Sequence, residues 1–200
     1  MTGFLTFIES LPPGPLYGLI AALAAIENVF PPVPADTAVA LGAFLAGRGI
    51  MDPWLVFGLT WTANVGSGAA VYALARRHGR ALFQGVLGRR LFSDATIARI
   101  EEQYHRHGAW GIFLSRLVPV WRGLVMPFAG IAAVPPRRAL VPLALASGLY
   151  YGALTVLVTT LGTNLEDVLR VLRRANTVLA VVATALLFAA AIWTLRRLKR

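Results

Sequence analysis

The residues with the clearest chemistry in this sequence are two arginines and two acids within apolar stretches. Arg116 and Arg122 lie in one apolar stretch, and Glu27 and Asp36 lie in another. Ionisable side chains are unfavourable inside a membrane, so they mark a functional site whose charges need partners. Arginine stays charged and presents a planar fork that suits phosphate or carboxylate, and a carboxyl group can take up and release a proton. The sequence therefore predicts anion binding by the arginines and proton-coupled gating by the acids.

Each of these side chains also has a structural interpretation. Asp36 is placed to cap a helix, and one of the arginines can snorkel to the membrane surface. Glu27 precedes a proline-rich break near a helix C-terminus, where the helix dipole disfavours an acid. The arginines can hold a lipid phosphate, pair with the two acids, or alternate between these partners. Trp121, beside Arg122, is a further candidate for contact with a substrate.

The composition indicates an integral membrane protein. Of the 200 residues, 57% are hydrophobic and 14% are charged, against about 25% charged residues in soluble domains. The chain has no cysteine, which excludes disulfides, cysteine-ligated zinc and thiol nucleophiles. The net charge of +10 comes from basic residues beside apolar segments, a placement typical of topology determinants and not of nucleic-acid binding. We expect one membrane domain over residues 1–200.

Two segments interrupted by prolines predict re-entrant hairpins. They are residues 16–47, broken at Pro31, Pro32 and Pro34, and residues 109–134, broken at Pro119. The arms of the first are each about 20 Å long, too short to cross about 30 Å of hydrocarbon. Irregular backbone at that depth must line a protein-walled or watery cavity. The prolines within residues 12–15 are expected to bar a helix before residue 16.

Three other segments, residues 53–75, 137–162 and 176–195, are long enough to cross the membrane. Residues 76–108 are rich in arginine with periodic apolar residues, which predicts an amphipathic helix at the cytoplasmic surface. Placing this segment and the C-terminus in the cytoplasm satisfies the positive-inside rule and gives the hairpins opposite orientations. The predicted fold is an all-α membrane protein with two oppositely oriented re-entrant helical hairpins, about three transmembrane helices and an amphipathic cytoplasmic helix.

The remaining candidate sites are incomplete. His78, His105 and His107 lie on the basic segment, and Glu101 with His105 has metal-ligand spacing without a third ligand. We therefore expect no metal, no cofactor and no enzymatic activity. Small residues at positions 66–70 allow another helix to approach closely, either within the chain or in a homo-oligomer.

Three motifs resemble the DedA family of membrane proteins, which share the SNARE-associated or VTT domain. They are ENVFPPVPAD from Glu27 to Asp36; Tyr72, Arg76 and Gly79; and FLSRLVPVWR at residues 113–122, followed by Ala129, Gly130 and Pro136. The resemblance covers roughly residues 20–160, and the third motif is the most specific. The chain departs from the family pattern at Asp36, where Glu is commoner, at Ala35, where Gly or Ser is usual, and at Ala75, which replaces a glycine.

The resemblance implies facing re-entrant hairpins, a bacterial inner-membrane location and proton-dependent lipid handling. Relatives are implicated in moving undecaprenyl phosphate or phosphatidylethanolamine between leaflets, and eukaryotic relatives act as scramblases. The expected function is a flippase- or scramblase-like lipid translocase. Arg116, Arg122 and Trp121 would bind the phosphate headgroup, and Glu27 and Asp36 would gate it with protons. Two alternatives stay open: a proton-coupled antiporter of small cations or cationic drugs, and an assembly factor whose charges only fold the hairpins.

Overall fold

The computed structural model of the chain describes residues 7–8, 10–30, 35–84, 109–117, 119–162, 167–178, 181 and 185. Every regular element in these ranges is a helix, which confirms the all-α prediction for them. In chain order they are α1 (Pro13–Ile26), α2 (Ala35–Gly47), α3 (Pro53–Gln84), α4 (109–117), α5 (Pro119–Ile131), α6 (Pro136–Leu161) and α7 (167–178). The re-entrant placement of the two hairpins in a membrane stays a prediction.

The first helix begins earlier than expected. α1 starts at Pro13 and includes Pro15 in its first turn, whereas we expected the prolines to bar a helix before residue 16. The expectation was wrong because the first N–H groups of a helix have no acceptor within it. A proline there removes no hydrogen bond and already has a helical φ. α1 ends at Ile26, and Glu27 lies in the turn that follows.

The first proline-broken segment forms the two helices α1 and α2. Asp36 lies in the first turn of α2, where the helix dipole favours a negative charge. The chain leaves α2 through Gly49, whose φ of +77° is a conformation that favours glycine. The predicted breaks lie between the two helices, outside the described residues: Pro31, Pro32 and Pro34.

The second proline-broken segment forms α4 and α5, and residue 118 between them is outside the described part. Pro119 is the first residue of α5, where a proline is tolerated. Pro127 inside α5 and Pro142 inside α6 each remove one helix N–H and favour a bend. The two helices of this segment carry Arg116 and Arg122, respectively.

Among the described helices, α6 is the one that is long and apolar enough to cross a membrane, with a mean hydropathy of 1.7. It matches the predicted span 137–162 to within one residue at each end. The predicted span 53–75 lies within α3, which has 32 residues and is about 48 Å long but less apolar. The predicted span 176–195 is described only at residues 176–178, 181 and 185.

The predicted amphipathic segment 76–108 is described in its first part only. Residues 76–84 continue α3 without a break, and residues 85–108 lie outside the described part. The exposed positions Arg76, Arg77 and His78 belong to this continuation. The start of the segment is therefore the end of a long helix, and its placement at a membrane surface stays a prediction.

α3 is the central helix of the bundle and packs against α1, α2, α5 and α6, while α2 also packs against α1 and α6. Two apolar clusters lie along this core. One contains Val56 of α3 and Val158 of α6, and the other contains Tyr72 of α3 and Leu143 of α6. Asn64 lies midway between Val56 and Tyr72 in α3, so a buried polar layer separates the two clusters.

A close contact between α3 and α5 depends on Gly130. A Cβ at this position would lie 2.5 Å from the Tyr72 carbonyl oxygen and 2.9 Å from the Arg76 amide nitrogen. Both are backbone atoms, so no side-chain movement can make room for a larger residue. Glycine at this point allows α5 to approach α3 closely, and this contact sets the position of Arg122 along α3.

The small-residue face at positions 66–70 packs in part within the chain. A Cβ on Gly68 would lie 3.2 Å from the Leu143 side chain of α6, whereas a Cβ on Gly66 would meet no atom within 4 Å. One side of the face therefore serves the α3–α6 contact. The other side faces away from the described helices.

Candidate functional site

The side chain of Arg122 lies between the carboxylates of Glu27 and Asp36. Its Nε and Nη2 atoms both contact Glu27 Oε1, and Nη2 also donates to Asp36 Oδ1 at 2.6 Å. The three residues come from α5, the turn after α1 and the first turn of α2. Charge-assisted hydrogen bonds are stronger than hydrogen bonds between neutral groups. Through these bonds Arg122 joins the two proline-broken segments.

Arg122, Glu27 and Asp36 form an ion cluster. Two tyrosines of α6 and an asparagine of α3 surround it. The Tyr151 hydroxyl donates to Glu27 Oε2 at 2.8 Å, and Asn64 Nδ2 donates to the same hydroxyl at 3.2 Å. The guanidinium carbon of Arg122 lies 4.8 Å from the ring centroid of Tyr150 and 5.9 Å from that of Tyr151. These distances permit cation–π attraction, which is stronger where water is excluded.

Arg116 is surrounded by neutral acceptors. Its Nη2 donates to Asn64 Oδ1 at 2.7 Å, and its Nη1 donates to the backbone carbonyl of Arg122 at 3.0 Å. Longer hydrogen bonds reach Asn28 Oδ1 at 3.3 and 3.4 Å and Ser147 Oγ at 3.4 Å. One guanidinium therefore connects α4 with α3, α5, α6 and the turn after α1.

The fold brings all four predicted charged residues into one buried cluster. Glu27 and Arg116 are each 3% exposed, Arg122 is 6% exposed and Asp36 is 7% exposed. Their formal charges cancel, because two acids and two arginines sum to zero. Burying an unpaired charge is strongly unfavourable, whereas a paired and hydrogen-bonded set is tolerated. The neutrality of the cluster is lost as soon as one acid takes up a proton.

Two polar atoms beside the ion cluster have no hydrogen-bond partner within the described ranges. They are Arg122 Nη1 and the hydroxyl oxygen of Tyr150, and both are buried. Buried polar groups are almost always paired with protein, water or ligand, so each exception requires an explanation. Nε and Nη2 of Arg122 already hold the two acids, so Nη1 is the corner of its guanidinium that makes no hydrogen bond within the described part. That corner can donate to the oxygen of an anion.

α7 contacts the ion cluster from the side of Asp36. Asn176 Nδ2 donates to Asp36 Oδ2 at 3.0 Å, so each oxygen of this carboxylate has a partner. Asn176 follows a charged connector in the sequence, where polar residues are ordinary, and the sequence pattern therefore does not distinguish it.

The second and third motifs meet at a separate contact. Arg76 Nη1 donates to the Val134 carbonyl at 2.7 Å and to the Tyr72 hydroxyl at 2.5 Å, and that hydroxyl donates to the same carbonyl at 2.5 Å. Val134 follows Ala133, whose left-handed φ of +49° costs about 1–2 kcal/mol for a residue other than glycine. These bonds fasten the end of α5 to α3 and so help to position Arg122.

Several predicted positions have no described contacts. The side chain of Trp121 is outside the described part of α5, and Glu101, His105 and His107 lie in residues 85–108. His78 is exposed on α3. Across the residues that the structure describes, no group of three or more histidines, cysteines or acids is arranged to hold a metal. A role for Trp121 in substrate contact stays a prediction.

Six polar residues that contact the charged cluster were not identified from the sequence: Asn28, Asn64, Ser147, Tyr150, Tyr151 and Asn176. Some of these residues could have been identified from the sequence, because an amide or hydroxyl in the middle of an apolar helix needs a hydrogen-bond partner. Asn64 and Ser147 fit that rule. Tyr150 and Tyr151 lie in the middle of a span, away from the interface positions where tyrosine is common.

Comparison with known proteins supports the resemblance. A family model described as the VTT domain matches residues 33–160. An uncharacterized membrane protein of Mycobacterium tuberculosis (strain ATCC 25618 / H37Rv) is 28% identical over 181 residues, which cover 88% of this chain and 83% of that protein. An alkaline phosphatase-like protein of Lactococcus lactis subsp. lactis is 27% identical over 171 residues, which cover 82% of this chain and 78% of that protein. No solved structure matches the chain.

The family match includes three members of the charged cluster. Asp36, Arg116 and Arg122 lie inside the matched region, and Glu27 lies just before it. The region also contains the Tyr72 and Arg76 contact and the close approach at Gly130. Because the match covers more than half of the chain, the protein belongs to the VTT-domain family, the DedA family of membrane proteins.

Proposed function

We propose that this protein is a lipid translocase that moves a phosphate-bearing headgroup between membrane leaflets, coupled to protons. Arg122 binds the phosphate, and Glu27 and Asp36 gate it. Undecaprenyl phosphate and phosphatidylethanolamine are the candidate lipids. The observation that carries the proposal is Nη1 of Arg122, which is buried and has no hydrogen-bond partner among the described residues, on a guanidinium whose other nitrogens hold both acids.

A phosphate that crosses hydrocarbon needs a polar path and a countercharge. The arginine fork matches the geometry of phosphate oxygens, and the open Nη1 is the first donor available to one of them. The Tyr150 side chain lies against the same guanidinium, and its hydroxyl also makes no hydrogen bond of ordinary geometry to the described residues. In this proposal only the headgroup enters the polar layer, and the acyl chains remain in the bilayer.

The charge balance of the cluster supports coupling to protons. With Glu27 and Asp36 ionised, the buried charges sum to zero, and a bound phosphate monoanion would make the sum −1. When Glu27 is protonated the sum is +1, and the same phosphate restores neutrality. Because a net buried charge is unfavourable, proton uptake and phosphate binding favour each other. We therefore expect headgroup binding to strengthen as the pH falls.

Glu27 is the better candidate for the proton carrier of the two acids. Its Oε2 accepts from the Tyr151 hydroxyl, and a protonated carboxyl group can keep that hydrogen bond through its carbonyl oxygen. Asp36 keeps its bond to Asn176 and holds Arg122 from the other side. Protonation of Glu27 would release one side of the fork and leave the guanidinium anchored by Asp36.

Arg116 contributes charge and position in this proposal. Its hydrogen bonds go to neutral oxygens, including the backbone carbonyl of Arg122. The positive charge draws a phosphate toward the polar layer, and the bond to the carbonyl fixes the backbone from which Arg122 extends. Direct contact of Arg116 and of Trp121 with the headgroup, expected from the sequence, stays a prediction that this division of roles does not require.

A proton-coupled antiporter of small cations or cationic drugs is the second candidate. The two buried carboxylates favour it, because such groups bind cations. Both carboxylates are already held by Arg122, so a cation would have to displace a guanidinium. Competition separates the candidates: a soluble phosphate headgroup should inhibit a lipid translocase, and a small cation should inhibit an antiporter.

The location and topology form part of the proposal. We place the protein in a bacterial inner membrane as a multi-pass protein, with hairpins entering from opposite sides and a cytoplasmic C-terminus. The side of the small-residue face around Gly66 is available for a homo-oligomer. We expect binding without hydrolysis, although the Lactococcus relative carries a phosphatase-like name. Release of inorganic phosphate from a phospholipid would contradict that expectation.

Lipid flux in proteoliposomes tests the proposal. Arg122→Lys keeps the positive charge but loses the fork, and Arg138→Lys makes the same change at an exposed position at the start of α6. We expect Arg122→Lys to lower headgroup flux about tenfold or more, and Arg138→Lys to leave it near the native rate. Thermal unfolding of both variants verifies that they are folded. Native flux in a folded Arg122→Lys protein would contradict phosphate binding by Arg122.

A further inference from the structure

Asn64 of α3 is a buried amide whose orientation is fixed by its hydrogen bonds. It is 1% exposed. Its Oδ1 accepts from Arg116 Nη2 at 2.7 Å and from Ser147 Oγ at 3.0 Å. Its Nδ2 donates to the Ala24 carbonyl at 3.1 Å and to the Tyr151 hydroxyl at 3.2 Å. The reverse orientation would set the amide NH2 group against the Arg116 guanidinium, which has donors only. The Asn64 Nδ2 therefore faces Tyr151.

This orientation decides where the single proton of the Tyr151 hydroxyl points. The phenol oxygen accepts from Asn64 Nδ2, and its own proton is donated to Glu27 Oε2 at 2.8 Å. Glu27 is the acceptor of this hydroxyl among the described hydrogen bonds. A proton turned away from Glu27 would lose its described acceptor in a buried layer, which is unfavourable. Tyr151 is therefore held as a donor to Oε2.

The two oxygens of Glu27 have partners that differ in their alternatives. Oε1 contacts Nε and Nη2 of Arg122, and Oε2 accepts from Tyr151. A protonated carboxyl group has one O–H and one carbonyl oxygen, which can still accept a hydrogen bond. A proton on Oε2 would face the proton of Tyr151. A proton on Oε1 would displace Arg122, whose Nη2 keeps its hydrogen bond to Asp36 Oδ1.

We propose that Asn64 is a positioning residue that, through the Tyr151 hydroxyl, directs the proton of Glu27 to Oε1, the oxygen that holds Arg122. The proposal deepens the proton coupling of the proposed function and rests on it. One O–H bond forms at Oε1, Tyr151 keeps its own proton, and no other covalent bond changes. The contacts of Arg122 with Oε1 then break, and its donors become available to a phosphate oxygen. Proton uptake thus releases the guanidinium in addition to neutralising the acid.

Charged and titratable groups face Glu27 from four helices packed around it. They are Arg122 from α5, Asp36 from α2, Arg116 from α4 and Tyr151 from α6. α3 contributes the neutral Asn64, and Tyr150 lies against the guanidinium of Arg122. Among the described residues, Tyr151 is the donor to Oε2. The amide between Arg116 and Tyr151 therefore controls the one contact that distinguishes the two oxygens of the acid.

NMR spectroscopy of arginine side chains, labelled with the heavy nitrogen isotope, tests the proposal without a phosphate ligand. The protein is held in dodecyl maltoside, a detergent that contains no phosphate. The Arg122 Nε signal is assigned by its loss in Arg122→Lys. The protonation of Glu27 is followed by the infrared carboxylic acid band that is absent in Glu27→Gln. In the native protein we expect the Nε signal to shift with the same midpoint as this band, because Nε leaves Oε1.

Two variants remove the control of the proton position in different ways. Tyr151→Phe takes away the donor to Oε2, so that oxygen is free to take the proton while Arg122 stays on Oε1. Asn64→Ala frees the Tyr151 oxygen to accept from Oε2 and frees the Ala24 carbonyl to accept the Tyr151 proton. In both variants we expect Glu27 to take up its proton but the Nε shift to be about twofold or more smaller than in the native protein.

Ser147→Ala is the matched control. Ser147 donates to the Asn64 Oδ1, which Arg116 still holds in this variant, so the amide keeps its orientation and we expect the native Nε shift. A smaller shift in Ser147→Ala, a native shift in folded Tyr151→Phe or folded Asn64→Ala, or an Nε signal that does not follow Glu27 in the native protein would overturn the proposal.

Thermal unfolding verifies that the variants are folded, and Tyr151→Phe, which removes only a hydroxyl, decides the test if Asn64→Ala does not fold. Failure of the proposed function is seen separately, as native lipid flux in Arg122→Lys, because the NMR samples contain neither lipid nor phosphate.

Discussion

Arg116 and Arg122 lie six residues apart on the two sides of the α4–α5 break, and their surroundings differ. Arg122 contacts two carboxylates, and its Nη1 has no hydrogen-bond partner in the described part of the chain, whereas the described acceptors of Arg116 are amide, hydroxyl and carbonyl oxygens. A guanidinium held by acids can change partners when an acid takes up a proton. One held by neutral oxygens keeps its partners. We therefore propose different roles for the two arginines of this motif: Arg116 positions the backbone of Arg122, and Arg122 exchanges partners.

Removing each positive charge tests this comparison with the largest expected effect. Arg122→Gln leaves Glu27 and Asp36 buried without a counter-ion, which should cost about 3–5 kcal/mol of folding free energy at neutral pH. Protonation of the acids removes the unpaired charge, so the loss should shrink as the pH falls. Arg116→Gln leaves neutral acceptors unpaired and should cost about 1–3 kcal/mol with a weaker pH dependence. Chemical unfolding in detergent at two pH values measures both losses of stability. An equal pH dependence of the two losses would contradict the different roles of Arg116 and Arg122.

Lysine substitutions separate charge from geometry. Arg122→Lys keeps a cation beside the two acids, so we expect a stability loss of about 1 kcal/mol with a loss of most flux. Arg116→Lys cannot reach the same set of acceptors, so we expect a loss of about 1–3 kcal/mol and a smaller reduction of flux per folded molecule. Flux and unfolding are measured on the same preparations, so that the flux of each variant can be divided by its fraction of folded protein. The comparison fails if both variants lose flux only in proportion to folded protein.

The contact that positions the Arg122 helix can be weakened by one methyl group. Gly130→Ala places a Cβ 2.5 Å from the Tyr72 carbonyl oxygen, so α5 must move and stability should fall by about 1–3 kcal/mol. Gly66→Ala adds the same methyl group where no atom lies within 4 Å, and helix propensity predicts a gain of about 0.5–1 kcal/mol. In unfolding measurements, Gly66→Ala is the control for Gly130→Ala. Similar effects at both glycines would show that the α3–α5 contact does not hold Arg122 in place.

The smallest expected effect concerns the partner of Asp36 on α7. Asn176→Ala removes one hydrogen bond to Asp36 Oδ2 and should cost about 0.5–1.5 kcal/mol. Thr177→Ala is the neighbouring control, because among the described residues the Thr177 hydroxyl bonds the Arg173 carbonyl in its own helix. A change within about 0.5 kcal/mol is expected there. Equal stability of the two variants would indicate that α7 does not support the cluster.

Much of the helical arrangement follows from proline placement and apolar length. Described helices lie before and after the undescribed prolines around Pro32, a described helix begins at Pro119, and α6 coincides with a predicted span to within one residue at each end. The start of α1 was mispredicted because Pro13 and Pro15 fall in a first turn, where proline is harmless. The continuation of α3 beyond residue 75 was missed because arginines at a membrane boundary suggest a change of element, although they are good helix formers.

The charged members of the site were identifiable from the sequence, whereas their pairing was not. Glu27, Asp36, Arg116 and Arg122 are conspicuous because each is ionisable in an apolar stretch. That both acids meet Arg122, and that Arg116 meets amides, depends on the packing of five helices. One sequence contains no information on such long-range contacts. Asn64 and Tyr151 could have been suspected from their mid-helix positions, but Asn176 could not.

Proton coupling at Glu27 is measured by the number of protons that the protein takes up when a phosphate headgroup binds. Titration calorimetry with dihexanoyl phosphatidylglycerol, in buffers of different ionisation enthalpy, gives this number for the native protein and for Glu27→Gln. We expect uptake of about one proton by the native protein, tighter binding as the pH falls, and no uptake by Glu27→Gln. Binding without proton uptake, or with equal uptake in Glu27→Gln, would contradict this expectation.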